Sequence, residues 1–284
     1  MKNIAYYNGT VGLIEEIHIP MNDRVVYFGD GVYEAAYVRN HRIFAINDHL
    51  DRFYRSASLI SIDLKIARDK LQEILQSLVD RIESGGEAVL YWQLSRGTAP
   101  RSHIFPNPPA EPNLLAYVKP YSTEPMNKKI KLLSVEDERF FFCHIKTLNL
   151  LPNVLASQKA AEAGCEEAVF HRGETVTEGS HSNISILKNG TLRTAPLSKY
   201  ILPGTVRKQL LEYCRTAGIP VDETSFSLDE LRNADEIIVT SSTSLIRSAG
   251  ILDGQPVGGK AQELFDKISG AYAARLDDEV GPLR

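Results

Sequence analysis

The chain has 284 residues, 43% of them apolar and 24% charged, and a net charge of −4. That suits two modest domains or one large one of an ordinary globular protein. With no dense Lys/Arg run and no apolar stretch near the roughly 20 residues needed to span a bilayer, it excludes a general nucleic-acid binder and a membrane-spanning helix.

Residues 1–5 lack a signal-peptide apolar core, so a cytoplasmic location is expected. Asn8 and Gly9 lie between 4–7 and 10–13, a signal for a two-residue hairpin. A strand is expected over 32–38, a turn at Arg39, Asn40 and His41, and an antiparallel return over 43–46. Asn47 then caps a helix to about residue 59, with Leu50, Phe53, Tyr54 and Ala57 on one face. Ile66, Leu71, Ile74, Leu75, Leu78 and Ile82 mark a second amphipathic helix, stopped by Gly85 and Gly86. Stretches 88–95 and 114–118 read as strands, and the proline-bearing KPYSTEPMN (119–127) as an interdomain linker.

Beyond the linker, strands are expected over 130–135, 167–171, 183–188, 192–195 and 236–240. Helices are expected over 151–163, closed by Gly164, over 204–217, closed by Gly218, and over 261–276. Ser227 to Glu230 has the capping-box form, and Asp253 with Gly254 marks a last hairpin. The three cysteines, Cys143, Cys165 and Cys214, are odd in number, lack metal-ligand spacing and read as reduced thiols. Strands and helices mix without a regular βαβ cadence. The expectation is two α+β domains, 1–118 and 128–284, with an active site between them and no metal.

Five stretches draw polar groups out of apolar surroundings. FGDGVYE (28–34) places Tyr33 on a strand after two glycines. HLDRFY (49–54) puts Arg52 on a helix, where its planar fork suits phosphate, although a surface ion pair is the commoner role. SRGTAPRSH (95–103) sets Arg101 and His103 in a Gly/Pro loop, suited to a carboxylate or merely solvated. LPGTVR (202–207) opens a helix on a glycine, so the amides of Thr205 and Val206 are free for an anion. TSSTS (240–244) places Ser241 and Ser242 directly after an apolar strand, either a turn or one wall of a phosphate cup.

Two further residues give these stretches a common purpose. Lys146 ends a sparsely charged run, CHIKTLN (143–149), and Glu178 lies in TEGS (177–180). Only a neutral amine attacks an aldehyde, and apolar surroundings favour the neutral form of a lysine. Pyridoxal phosphate (PLP) chemistry needs such a Schiff-base lysine and a carboxylate for the pyridinium nitrogen.

With those residues in view, the chain resembles the fold-type IV PLP-dependent enzymes, the class IV aminotransferases, and within them the D-amino acid aminotransferases. The likeness runs to about residue 268. Its most specific parts are FGDGVYE, SRGTAPRSH, IKTLNLLPNVLA (145–156), TVTEGSHSN (175–183) and VTSSTS (239–244). The resemblance implies that Lys146 carries the cofactor and shuttles the proton, and that Glu178 pairs with the ring nitrogen. It implies that Arg52, the amides of Thr205 and Val206, and Ser241 with Ser242 hold the phosphate. It further implies that Tyr33, Arg101 and His103 bind the substrate α-carboxylate, the last two from the partner subunit of an obligate homodimer.

Transamination of D-amino acids with 2-oxo acids by a ping-pong cycle follows from the same likeness. The rivals on this fold are a branched-chain L-amino acid aminotransferase and an aminodeoxychorismate-type lyase. Two departures stand out. Val206 replaces a threonine common in relatives, which implies weaker PLP binding. Arg247, where relatives carry a smaller residue, either adds positive charge at the substrate mouth or faces solvent.

Overall fold

The computed structural model describes residues 3–83 and 86–283. Gly85 of the expected helix stop, and Met1 and Lys2 of the amino-terminal reading, lie outside the described residues. The chain divides into two compact units, Met1–Thr123 with Ile145–Asn149 and Leu276–Arg284, and Glu124–His144 with Leu150–Arg275.

The first unit carries six strands, β1 (Ile4–Tyr7), β2 (Thr10–Gly12), β3 (Gly31–Arg39), β4 (Arg42–Ile43), β5 (Glu87–Ser95) and β6 (Asn113–Pro120). They form one sheet in the order β2-β1-β6-β5-β3-β4, antiparallel throughout. Asn40 and His41 both take positive φ in the two-residue turn from β3 to β4, which suits the right-handed twist of a hairpin. Helices α1 (Arg24–Phe28), α2 (Ile46–Leu59) and α3 (Arg68–Val79) also belong to this unit. Leu71, Leu75 and Leu78 recur at helical spacing and are fully buried. Phe53 of α2 meets Trp92 of β5 edge-on, with ring centroids 5.9 Å apart.

Several expectations shift here. The return strand stops at Ile43 and α2 starts at Ile46, because Ala45 turns the chain with φ of 53°. Asn47 is therefore inside the first turn and does not cap. Its carbonyl and Oδ1 accept bonds from Arg68 at 2.9 and 3.1 Å. Strand β6 runs to Pro120, and the unit boundary falls after Thr123.

Two segments expected within 128–284 belong instead to the first unit. Ile145–Asn149 is tied to β3: Tyr33 N donates to Lys146 O (3.0 Å) and Leu148 N to Gly31 O (3.1 Å). The carboxy-terminal segment is held by an Arg39–Asp277 ion pair, by Asn40 Nδ2 donating to Val280 O (3.0 Å), and by Ala45 N donating to Glu279 Oε1 (2.6 Å). These are long-range bonds with no local sequence signal.

The second unit holds β7 (Ile130–Glu136), α4 (Leu151–Glu162), β8 (Glu167–Arg172), β9 (Thr175–Gly179), β10 (Asn183–Lys188), β11 (Thr191–Thr194), α5 (Thr205–Thr216), β12 (Val221–Asp222), α6 (Leu228–Arg232), β13 (Glu236–Ser241), β14 (Leu245–Leu252) and β15 (Gln255–Pro256). Helix α7 (Gln262–Val280) begins here, and its residues from Leu276 on belong to the first unit. The sheet order is β12-β11-β10-β13-β14-β7-β8-β9, with β15 on β14. Parallel β14–β7, β7–β8 and β11–β12 pairs are mixed with antiparallel ones, an α+β arrangement. Val169, Val176, Ile184, Ile237 and Val239 form its apolar centre. Ser227 and Glu230 make the reciprocal capping bonds at 3.1 and 2.8 Å. Among the described residues no helix is long and apolar enough to cross a membrane.

Candidate active site

Lys146 lies in an irregular segment between β7 and α4. The backbone pairs with β3 on one side, and Lys146 N donates to Ser56 Oγ at 3.3 Å. This close approach explains Gly31, where a Cβ would fall 2.3 Å from Leu94 O and 2.8 Å from Leu148 Cδ1. Pairing with β3 delivers the amine to Tyr33: Lys146 Nζ stands 4.2 Å from the centre of the Tyr33 ring. Tyr33 in turn stacks on Tyr91 of β5, with centroids 5.7 Å apart.

Arg52, on the buried face of α2, grips Glu34 of β3 with two parallel bonds, Nε to Oε1 at 2.6 Å and Nη2 to Oε2 at 2.8 Å. His49 Nδ1 lies 2.8 Å from the same Oε2. Burial works to raise the Glu34 pKa, but Arg52 and His49 outweigh it and bring the group down to about 2. Much of the fork expected to face phosphate is thus engaged by a carboxylate. Sequence reasoning passed over Glu34, although it closes FGDGVYE.

In the second unit Glu178 sits on β9, itself missed because its threonines and glutamate hid a buried strand. Glu178 Oε1 accepts from Arg139 Nη1 at 2.6 Å, and Oε2 accepts from Asn183 Nδ2 at 3.0 Å and Leu202 N at 2.9 Å. Arg139 is shared, because its Nε and Nη2 donate to Asp137 at 2.9 and 3.0 Å. Asp137 is further held by Thr177 Oγ1 and Arg172 Nε, both at 3.1 Å. Burial pushes Glu178 up to about 7; Arg139 and the Leu202 amide oppose it, and the charge of Asp137 adds to it. Asp137 and Arg139 were also missed. An Asp-x-Arg pair after an apolar strand was the available signal.

Asn183 couples Glu178 to the start of α5. Its Nδ2 also donates to Leu202 O at 3.0 Å, and a Cβ on Gly204 would lie 2.0 Å from its Oδ1, so only glycine fits there. No side chain caps α5 and no acidic residue occupies its first turn. The orphan amides and positive dipole end of the helix therefore favour an anion. Thr205 Oγ1 and Ser242 Oγ approach to 3.4 Å at that end, and Ser241 Oγ accepts from Ser244 N at 3.0 Å, which shapes the turn. Val206 is buried. This donor set fits PLP: a buried carboxylate short of positive charge, joined through Asn183 to an uncapped helix end with two hydroxyls.

Arg247 is buried on β14, where Nε and Nη2 donate to Lys128 O at 3.0 and 2.8 Å. It pins a backbone carbonyl and does not face solvent. Arg101 and His103 gather on Phe28, the first with its Cζ 5.2 Å from the ring centre, the second with ring centroids 5.2 Å apart. His103 borders a recess of about 500 Å³ shared with Arg24, Phe28, Asp30, Arg96 and Thr147.

The family profile described as amino-transferase class IV matches residues 31–250. A D-alanine aminotransferase of Staphylococcus aureus (strain MSSA476) is 42% identical over 274 residues, covering 92% of this chain and 96% of that one. One from Bacillus licheniformis is 36% identical over 257 residues, 90% of each chain. Among solved structures, a branched-chain aminotransferase from Thermoproteus uzoniensis superimposes with a TM-score of 0.88 at 21% identity, covering 98% of this chain and 96% of that one. At that identity the likeness concerns the fold.

Proposed function

The chain belongs to the class IV amino-transferases, PLP-dependent enzymes of fold type IV, and from that premise we propose that it transfers the amino group of D-amino acids such as D-alanine or D-glutamate to 2-oxo acids by a ping-pong cycle. The observation that carries this reading is the kinship with D-alanine aminotransferases along nine-tenths of the chain. Bound PLP supplies the electron sink for the bonds at the substrate α-carbon.

The chain's own residues do the rest. Lys146 holds the cofactor and, once released, takes the α-proton on Nζ and returns it. Glu178 keeps its negative charge against the ring nitrogen and so favours the protonated ring. Arg52, the amides of Thr205 and Val206, and the hydroxyls of Ser241 and Ser242 hold the phosphate. Tyr33, Arg101 and His103 take the substrate carboxylate, and that placement decides which α-hydrogen meets Lys146. Arg101 and His103 stand on Phe28 at exposed positions, which supports their serving the site of a second copy in a cytoplasmic homodimer.

The branched-chain L-amino acid reading and the lyase reading share the fold and the lysine. One experiment separates them. The visible band of the PLP-loaded protein is followed with D-alanine or with L-leucine, no acceptor present. Bleaching by D-alanine alone is expected. Bleaching by L-leucine alone would move the assignment to the branched-chain class, and pyruvate released without an acceptor over many turnovers would point to a lyase.

A further inference from the structure

We infer that Asp30 is a positioning residue for substrate binding: with Arg24 and Arg96 it forms a clasp that aims the loop carrying Arg101 and His103. The inference rests on reading those two residues as ligands of the substrate carboxylate.

Residues 101–105 are all exposed and belong to no helix or strand. Such a loop explores many conformations unless it is tied down, and two side chains aimed at one carboxylate lose affinity when their carrier wanders. Three side chains tie this loop down. Arg24 Nη1 donates to the carbonyls of Ser102 (2.7 Å) and Ile104 (3.4 Å), on either side of His103. Arg96 lies flat on Phe105, its Cζ 3.6 Å from the ring centre. Phe28 collects Arg24 (4.9 Å), Arg101 and His103 on one ring.

Both clasp arginines are buried, and one carboxylate joins them. Asp30 Oδ2 accepts from Arg24 Nε at 2.7 Å and Arg96 Nε at 2.9 Å, while Oδ1 accepts from Arg96 Nη2 at 3.0 Å. Arg96 is anchored further by the carbonyls of Ser61 and Ile60, at 3.0 and 2.8 Å. Without the Asp30 charge, two guanidinium groups would face each other with no anion between them. Burial works to raise the Asp30 carboxyl, and Arg96 and Arg24 outweigh it to hold the group below its usual range. Asp30 itself lies in the turn before β3, one residue ahead of Gly31, so the clasp registers the loop to the strand that carries Tyr33.

The test compares PLP-loaded Asp30→Asn, Phe105→Ala, Arg101→Ala and the Asp30→Asn/Arg101→Ala double variant. Phe105 is 56% exposed, so Phe105→Ala loosens the loop even where Asp30→Asn folds poorly. KM for D-alanine and for pyruvate should rise about tenfold in Asp30→Asn and about threefold in Phe105→Ala. The kcat should stay within about threefold and the PLP content should match the parent. Because Asp30 acts through Arg101 and His103 together, the double variant should raise KM by less than the product of the two single effects, the signature of shared rather than independent effects. A KM increase equal to that product, or unchanged KM in both Asp30→Asn and Phe105→Ala while Arg101→Ala raises it, would overturn the clasp and leave the carboxylate reading standing. An unchanged KM in Arg101→Ala would overturn the carboxylate reading itself, and the clasp's role with it.

Discussion

Glu34 in the first unit and Glu178 in the second are both buried carboxylates bonded to an arginine, and they differ in how that arginine is shared. Arg52 gives Glu34 two parallel bonds, and His49 adds a third contact. Arg139 gives Glu178 one bond, gives Asp137 two from its guanidinium, and also donates to the Tyr200 carbonyl. Burial penalises both charges. It is overcome at Glu34, which falls to about 2, and wins at Glu178, which rises to about 7. A carboxylate with its own fork is a fixed structural ion. One that divides an arginine with a second carboxylate lacks positive charge around neutral pH, and a protonated ring nitrogen is a cation of the kind that makes up the deficit. The same pair of residue types thus builds, in one unit, a brace for the arginine proposed to hold phosphate and, in the other, a proposed contact for the ring nitrogen.

The largest effects should come from removing the two glutamates. Glu178→Gln should lower kcat about 10²-fold, since it withdraws a buried charge aimed at the reacting system, while leaving the melting temperature of the PLP-free protein near that of the parent. Glu34→Gln should do the reverse: about 3–5 kcal/mol of stability lost, because Arg52 is left buried without its anion, and kcat within about tenfold. Urea melts beside steady-state rates check both. If Glu34→Gln cost only rate and Glu178→Gln only stability, the assignment of brace and cofactor contact would be inverted.

Titration sharpens the contrast. Between pH 4.5 and about 7 the folded chain keeps a proton on Glu178 that the unfolded chain has lost, so this group's contribution to stability falls as pH rises through that window. Glu34 acts oppositely and lower: its stabilisation is complete above 4.5 and is lost as pH falls toward about 2. Thermal scans of PLP-free protein from pH 4 to 8 should therefore decline less in Glu178→Gln than in the parent. Equal slopes would show that Glu178 is already ionised across the window.

Local signals carried much of the fold. The run 183–188 is strand β10 to the residue, the capping box opens α6, and the leucines of α3 recur at helical spacing because one face packs inward. Elements whose burial is polar stayed hidden. Strand β9 carries Thr177 and Glu178, and Arg247, Ser248 and Gly250 break the apolar run of β14. Residues meeting others at long range stayed hidden too. Nothing near Glu34 announces Arg52, and nothing near Arg39 announces Asp277. Lys146 and Glu178 stood out through the motifs around them, whereas the bond from Arg139 to Glu178, which opposes the effect of burial, is legible only once β7 and β9 are seen in one sheet.

The smallest expected effect asks whether the proposed cofactor site of the second unit reaches from Glu178 to the start of α5. Val206 is buried in the first turn of that helix, beside the Thr205 hydroxyl that meets Ser242. If phosphate sits on this helix end, Val206→Thr supplies one more donor. A neutral hydrogen bond is worth about 0.5–1 kcal/mol net, so PLP should bind roughly two- to fivefold more tightly. If the end of α5 holds no anion, the new hydroxyl meets only its buried surroundings and costs about 1–3 kcal/mol of stability with no gain in affinity. PLP titration and a urea melt of the same variant distinguish the two outcomes, because tighter binding and lost stability arise from opposite environments of a single added oxygen.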